Sequence, residues 1–204
     1  LLDYLNEYNI SKLFDSKYIL KINETYEDTD YFYMVMDYYP KKDLYENIKT
    51  HQITYKNPED YNLFINKLIR PIRLVHSKNI VHLDIKLENF LVDESDDFVL
   101  IDYQISKNHI NKDYYHQLEI KSSIIGTDAY VCPELKEKRL YSKSSDMYSL
   151  GCLLFLAFTR HMYSVNNIHL IEPLPNNIQI LISDLLNKNQ NDRPTIFDMH
   201  KYLT

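Results

Sequence analysis

Apolar side chains recur at helix-like spacing over residues 1–14, at Leu2, Leu5, Ile10, Leu13 and Phe14, with some irregularity. The pattern then switches. Tyr18-Ile19-Leu20-Lys21-Ile22 and Tyr31-Phe32-Tyr33-Met34-Val35-Met36 are rich in β-branched and aromatic residues and flank a polar turn at Glu27-Asp28-Thr29-Asp30. That arrangement predicts a hairpin over residues 18–39. Pro40 ends its second strand, and residues 41–48 read as a helix. A longer helix starts at Asn57-Pro58-Glu59-Asp60, which offers an N-cap side chain, a proline in the first turn and two acids at the positive end of the dipole. Its apolar stripe is Tyr61, Phe64, Ile65, Leu68, Ile69, Ile72 and Val75, a core-facing set. Pro71 interrupts this stripe; an interior proline costs roughly 3 kcal/mol, so a kink or local loosening is expected there. The helix should end near His76-Ser77-Lys78-Asn79.

Two apolar runs follow, Asn79-Ile80-Val81 and Phe90-Leu91-Val92, and read as buried strand ends that anchor the loop between them. A further apolar strand, Phe98-Val99-Leu100-Ile101, ends in Asp102. Residues 105–125 are polar and carry hydroxyls at Tyr114, Tyr115, Ser122 and Ser123 that are candidate phosphorylation sites. The stretch from Ser144 to Gly151 opens a strongly apolar helix, Cys152 to Phe158. Beyond Pro173-Leu174-Pro175 a helix is expected at 176–187, and Pro194 begins a last helix from Thr195 to Leu203.

With 204 residues, of which 45% are hydrophobic, the chain suits one domain with a real core. A net charge of −6 argues against a nucleic-acid-binding basic face and against an anchor on anionic membranes. No run of 18 apolar residues is present, so no membrane-spanning helix is expected. Asp3 and Glu7 interrupt the start, which does not read as a signal peptide. Two cysteines, Cys132 and Cys152, make no disulfide framework and suit a reducing, cytoplasmic setting. The 19 tyrosines, beside many Asn, Ile and Lys, point to an A/T-rich coding sequence rather than to a function. There are only two glycines, Gly126 and Gly151, so this chain carries no Gly-rich phosphate loop. It opens on Leu1 rather than Met, and the expectation is a piece of a longer product.

The candidate chemistry sits in the loop between the two anchors, where Asp84, Lys86 and Asn89 follow one another, and thirteen residues after Asn89 comes Asp102. An Asp to take a hydroxyl proton, a Lys to neutralise phosphate, and an Asn with a second Asp to hold hard divalent cations are the parts phosphoryl transfer requires. At these residues a family resemblance appears. His82-Leu83-Asp84-Ile85-Lys86-Leu87-Glu88-Asn89 resembles the catalytic loop of eukaryotic-type protein kinases. Asp102-Tyr103-Gln104 resembles their metal-binding Asp-Phe-Gly, and Gly126-Thr127-Asp128-Ala129-Tyr130-Val131-Cys132-Pro133-Glu134 resembles the stretch ending in Ala-Pro-Glu. The order and spacing of the three motifs are those of the family.

The resemblance implies an α+β, protein-kinase-like fold: a remnant of the small β lobe over residues 1–40 and a mostly helical large lobe over 41–204. It implies an ATP-dependent kinase acting on Ser/Thr hydroxyls of protein substrates, since Lys86 and Thr127 together match the Ser/Thr-directed pattern. Asp84 would accept the proton, Lys86 would steady the phosphoryl group, and Asn89 and Asp102 would hold Mg²⁺. Met36, Asp37 and Tyr38 would form the hinge against adenine, and Asp43 would touch the ribose or a basic substrate residue. Glu7 stands where the family pairs a helix Glu with a phosphate-gripping Lys; no such Lys is found before it in this chain, so it reads either as a solvated helix residue or as half of a pair whose other half was cut away. Glu134 should meet Arg193 in a buried ion pair, and Asp146 should brace the catalytic loop from beneath.

Departures from the pattern also matter. Leu83 replaces the Arg that clamps a phosphate on the activation segment, so activity should not depend on that switch. Gln104 replaces a Gly and should restrict the loop. The stretch from Arg160 to Pro173 is shorter than in typical kinases. The short stretch puts partner and substrate docking at that surface in question, while Leu83, Gln104 and the missing phosphate loop and Lys support the alternative of a pseudokinase-like scaffold with little or no phosphotransfer; with half the phosphate grip absent, feeble or no turnover is expected of the 204 residues alone. A small-molecule phosphotransferase fits less well, because the Thr127 and Pro133-Glu134 segment resembles peptide-directed kinases. Substrate identity and oligomeric state are left open.

Overall fold

The computed structural model describes residues 2–108, 116–117 and 126–203. Tyr114, Tyr115, Ser122 and Ser123 lie outside the described residues. Helix α1 (Leu2–Ser11) precedes an antiparallel hairpin of β1 (Ile22–Glu27) and β2 (Phe32–Met36). The hairpin is where expected, but its first strand begins at Ile22 instead of running from Tyr18 to Ile22. The earlier residues have another task. Ile19 and Leu20 are buried, Ile19 bridges Leu100, and the Leu20 N–H donates to the Leu100 carbonyl at 3.1 Å. Apolar side chains that read as strand thus tie the hairpin to the rest of the molecule.

Helix α2 (Leu44–Lys49) is capped by Asp43, whose carboxylate accepts the Glu46 N–H at 2.9 Å. The long helix α3 (Pro58–Ser77) starts at the anticipated signal: Asn57 accepts the Asp60 N–H, and Asp60 returns the bond to the Asn57 N–H. Helix α3 continues through Pro71. The proline is buried within the core-facing stripe, so apolar contact of its ring offsets the lost hydrogen bond.

Short strands β3 (Ile80–Val81), β4 (Phe90–Val92), β5 (Phe98–Leu100) and β6 (Lys107–Asn108) follow, with β4 paired to β5 and β3 to β6, all antiparallel. A two-residue strand β7 (His116–Gln117) pairs with β8 (Leu140–Tyr141), and helix α4 (Pro133–Lys138) lies between them in sequence. Helix α5 (Lys143–Thr159) is the hub. From Ser145 to Ala157 every residue except Tyr148 is buried, as expected for a helix apolar all round. Its start is fixed by a reciprocal pair in which Ser142 accepts the Ser144 N–H and Ser145 accepts the Ser142 N–H, both at 3.1 Å. Helix α6 (Asn176–Leu185) packs on α5 at Gly151, where a Cβ would come within 2.9 Å of the Leu185 Cβ. The final helix expected from Thr195 to Leu203 is instead a single 3-10 turn, Met199–Lys201. Asp198 there takes up the Thr195 hydroxyl and N–H, so the polar side chains close a turn locally.

Arg193 closes the base of the molecule. Its guanidinium meets Glu134 through two bonds, 2.7 and 2.8 Å, and donates further to the carbonyls of Asn187 and Ser144. Burial pushes the Glu134 carboxyl up, yet Arg193 outweighs this and holds it below its ordinary value. Replacing Arg193 by Leu is expected to cost about 3–5 kcal/mol by urea denaturation, because it strands a buried carboxylate. The pair's contribution should be full above the unfolded Glu pKa of about 4.3. It should fade as pH falls through the lower folded value. A variant as stable as the parent at neutral pH would contradict this.

Candidate active site

The loop between β3 and β4 is built on one buried carboxylate. Asp146, on α5 and fully buried, accepts the backbone N–H groups of His82 and Leu83, each at 2.8 Å, and also meets His76 Nε2 at 2.8 Å. These bonds satisfy donors where Leu83 adopts a left-handed φ of 70°. His82 is fully buried, with Nε2 3.0 Å from the Ile101 carbonyl and its ring 5.1 Å from that of Tyr103. Burial lowers its pKa, which suits a neutral structural imidazole. Leu83 packs with Val81, Val131, Cys132, Leu135 and Tyr141 in a small apolar cluster.

On this base the polar residues converge. Asp84 Oδ2 meets the Lys86 ammonium at 2.6 Å and accepts from Asn89 Nδ2 at 2.9 Å. Its Oδ1 accepts from the Thr127 N–H at 3.1 Å and hydroxyl at 3.0 Å. Lys86 Nζ in turn donates to the Thr127 hydroxyl at 2.8 Å, closing the ring of contacts. Burial pushes the Asp84 carboxyl up, but Lys86 and Thr127 prevail and hold it below the ordinary carboxylate value. It therefore stays ionised at neutral pH. Asn89 spends Nδ2 on Asp84, including the Asp84 carbonyl at 2.8 Å.

Asp102 follows β5 with a left-handed φ of 64°, and the Ile101 N–H donates to the Asn89 carbonyl at 3.0 Å, tying the two segments. Gln104's N–H reaches Asp102 Oδ1 at 3.4 Å. Above this segment lies Glu7, 5% exposed and in contact with Gln104 Nε2 at 3.5 Å. Burial first, and the Asp102 charge second, raise the Glu7 pKa. Met36, Asp37 and Tyr38 stand at the end of β2, all exposed, with Asp37 accepting from Asn23 Nδ2 at 3.1 Å. Asp43 uses its carboxylate as the α2 cap.

Thr127 was legible only as a specificity marker, yet it touches both Asp84 and Lys86. Gly126 explains its placement, with a φ of +93° and no room for a side chain, since a Cβ would lie 2.7 Å from the Leu83 carbonyl. Sequence reasoning also missed Asn6, which donates to three carbonyls of the segment after Asp102. Both cysteines are free, and burial raises their thiols to about 12, so they are structural.

Fold and loop geometry together set two polar motifs on a helical base. The family model described as "Protein kinase domain" matches residues 2–203, and the chain belongs to that family. Relatives bear this out. A probable serine/threonine-protein kinase samkA of Dictyostelium discoideum is 28% identical over 97% of this chain and 32% of its own length. The serine/threonine-protein kinase YPK3 of Saccharomyces cerevisiae is 30% identical over 67% of this chain and 27% of its own length. Calcium-dependent protein kinase 5 of Plasmodium berghei is 32% identical over 72% of this chain and 25% of its own length. The chain thus spans about a quarter to a third of the length of these relatives.

Gly126→Ala is expected to lose more than about 1 kcal/mol of stability, since alanine combines positive φ with a backbone clash. Chemical denaturation beside the parent checks this, and an unshifted midpoint would mean that the Leu83 carbonyl yields freely.

Proposed function

We propose that this chain is the catalytic domain of an ATP-dependent protein kinase directed at Ser/Thr hydroxyls. The observation that carries the reading is the closed set of contacts among Asp84, Lys86, Asn89 and Thr127. Residues 1–40 belong to a small lobe in this reading and 41–204 to the large lobe. Asp84, ionised and held from two sides, orients the substrate hydroxyl and takes its proton as the oxygen attacks the γ-phosphorus and the bond to the β-phosphate oxygen breaks, leaving ADP. Lys86 neutralises charge on the transferring group. The backbone of Met36, Asp37 and Tyr38 meets the adenine edge, and Asp43 sits at the ribose side.

Asn89 and Asp102 fit a hard cation by their donors. Asn89 commits its amide nitrogen to Asp84, so its carboxamide oxygen would be the ligating atom, and Asp102 would add a carboxylate. Among the described residues no cluster of three or more His, Cys, Asp or Glu could hold a metal. That suits Mg²⁺, which is bound through one or two protein oxygens together with substrate phosphates. Once bound, Mg²⁺ neutralises the phosphate oxygens. A cytoplasmic location accompanies this reading, since the two free cysteines suit a reducing compartment. No described helix is long and apolar enough to cross a membrane.

A scaffold with little chemistry is the second reading, favoured by Leu83 and Gln104 in place of the family's Arg and Gly. Mg-ATP titration with thermal-shift readout separates the two. Ligand that binds only the native state raises the melting point by mass action. The expected result is a shift in the parent that Asp102→Asn loses. Asp84→Asn should keep the shift and lose peptide phosphorylation by about a thousandfold or more, the upper part of the range for a general base. Transfer retained by Asp84→Asn would defeat the assignment; no shift in the parent would favour the scaffold.

A further inference from the structure

Asn6, half-buried on α1, turns its carboxamide into the backbone that carries Asp102. Its Nδ2 donates to the carbonyls of Tyr103 at 2.9 Å, Gln104 at 3.0 Å and Ser106 at 2.9 Å. Two N–H bonds are therefore shared among three acceptors. The next residue, Glu7, is buried and receives the Gln104 side-chain amide at 3.5 Å. Among the described residues no cation pairs with Glu7. From the other side the segment is held by Tyr103, fully buried, whose hydroxyl donates to the Leu100 carbonyl at 3.2 Å, and by Ser106, whose hydroxyl donates to the His82 carbonyl at 3.0 Å. The segment is thus pinned between the catalytic loop and α1, and only the α1 side depends on two carboxamides.

We propose that Asn6 and Gln104 are positioning residues that form a neutral amide clasp, fastening the Asp102 segment to α1. The physical case is one of charge. Glu7 and Asp102 are both acidic and close, and a buried carboxylate is tolerable only when hydrogen-bonded. A glycine at position 104 would offer no side-chain donor. Gln104 supplies one that adds no charge, and Asn6 fixes the carbonyls of the same turn. The functional consequence, that the clasp sets Asp102 for Mg-nucleotide, rests on the kinase reading; the clasp itself does not.

The test is hydrogen exchange of amides 102–106 in the ligand-free protein, with the Mg²⁺ concentration for half-maximal ATP binding as second readout. Asn6→Ala and the near-isosteric Asn6→Asp should each speed exchange by about tenfold, the loss of roughly one to two hydrogen bonds. Exchange in α5 serves as the internal control and should not move. Gln104→Glu sets two carboxylates together and should do the same, whereas Gln104→Glu with Glu7→Gln exchanges donor for acceptor and should restore protection. The Mg²⁺ requirement should rise in the single variants and recover in the exchanged pair. Unchanged protection in Asn6→Ala would overturn the clasp. Lost protection with an unaltered Mg²⁺ requirement would overturn its positioning role. Protection lost in Asn6→Ala while the parent binds no nucleotide would support the clasp and count against the kinase reading, so the two failures are told apart.

Discussion

Everything at the site depends on the Asp146 carboxylate. Two backbone N–H groups at a left-handed turn cannot be satisfied by any regular element, and burying them unpaired would cost about 1–3 kcal/mol each. Asp146 takes both and adds His76, so α3, α5 and the catalytic loop meet at one side chain. It can do so because α5 is buried nearly all round and rigid, which gives the carboxylate a fixed place. The loop above then need not be stable by itself. Its polar residues are free to face one another because their backbone is anchored from below.

A second constraint follows from how Asp84 is held. Lys86 and Asn89 meet its Oδ2 and Thr127 meets its Oδ1, and every contact is within hydrogen-bond distance. A carboxylate in such a setting stays charged, and these contacts fix its geometry. The surroundings supply orientation rather than an elevated proton affinity.

Much of this was legible because motif residues are short-range. Asp84, Lys86 and Asn89 lie within six positions, and the anchoring runs at Ile80-Val81 and Phe90-Leu91-Val92 are plainly apolar. The signal for α3 was equally local, a cap and a stripe. Harder cases involved choices made by distant partners. Ile19 and Leu20 have strand-forming side chains, yet the backbone bonds flanking Ile19, from the Leu20 N–H and to the Tyr18 carbonyl, are made with Leu100, some eighty residues away, and not with the hairpin. Thr195 to Leu203 has helical patterning, but Asp198 captures its donors in a local turn. Pro71 carried a real penalty that burial overrode. Asn6 offered no signal at all, since a carboxamide on an exposed-looking helix is ordinary until the carbonyls it meets, some hundred positions later, are brought to it.

Leu83 has a consequence for what this sequence can become. Its side chain is 5% exposed and completes the cluster of Val81, Val131, Cys132, Leu135 and Tyr141. Returning an arginine to this position would drive a guanidinium into that apolar seam or force the seam open, and either outcome is costly. Five neighbours enclose the leucine, so an arginine there would be accommodated only if that packing changed with it.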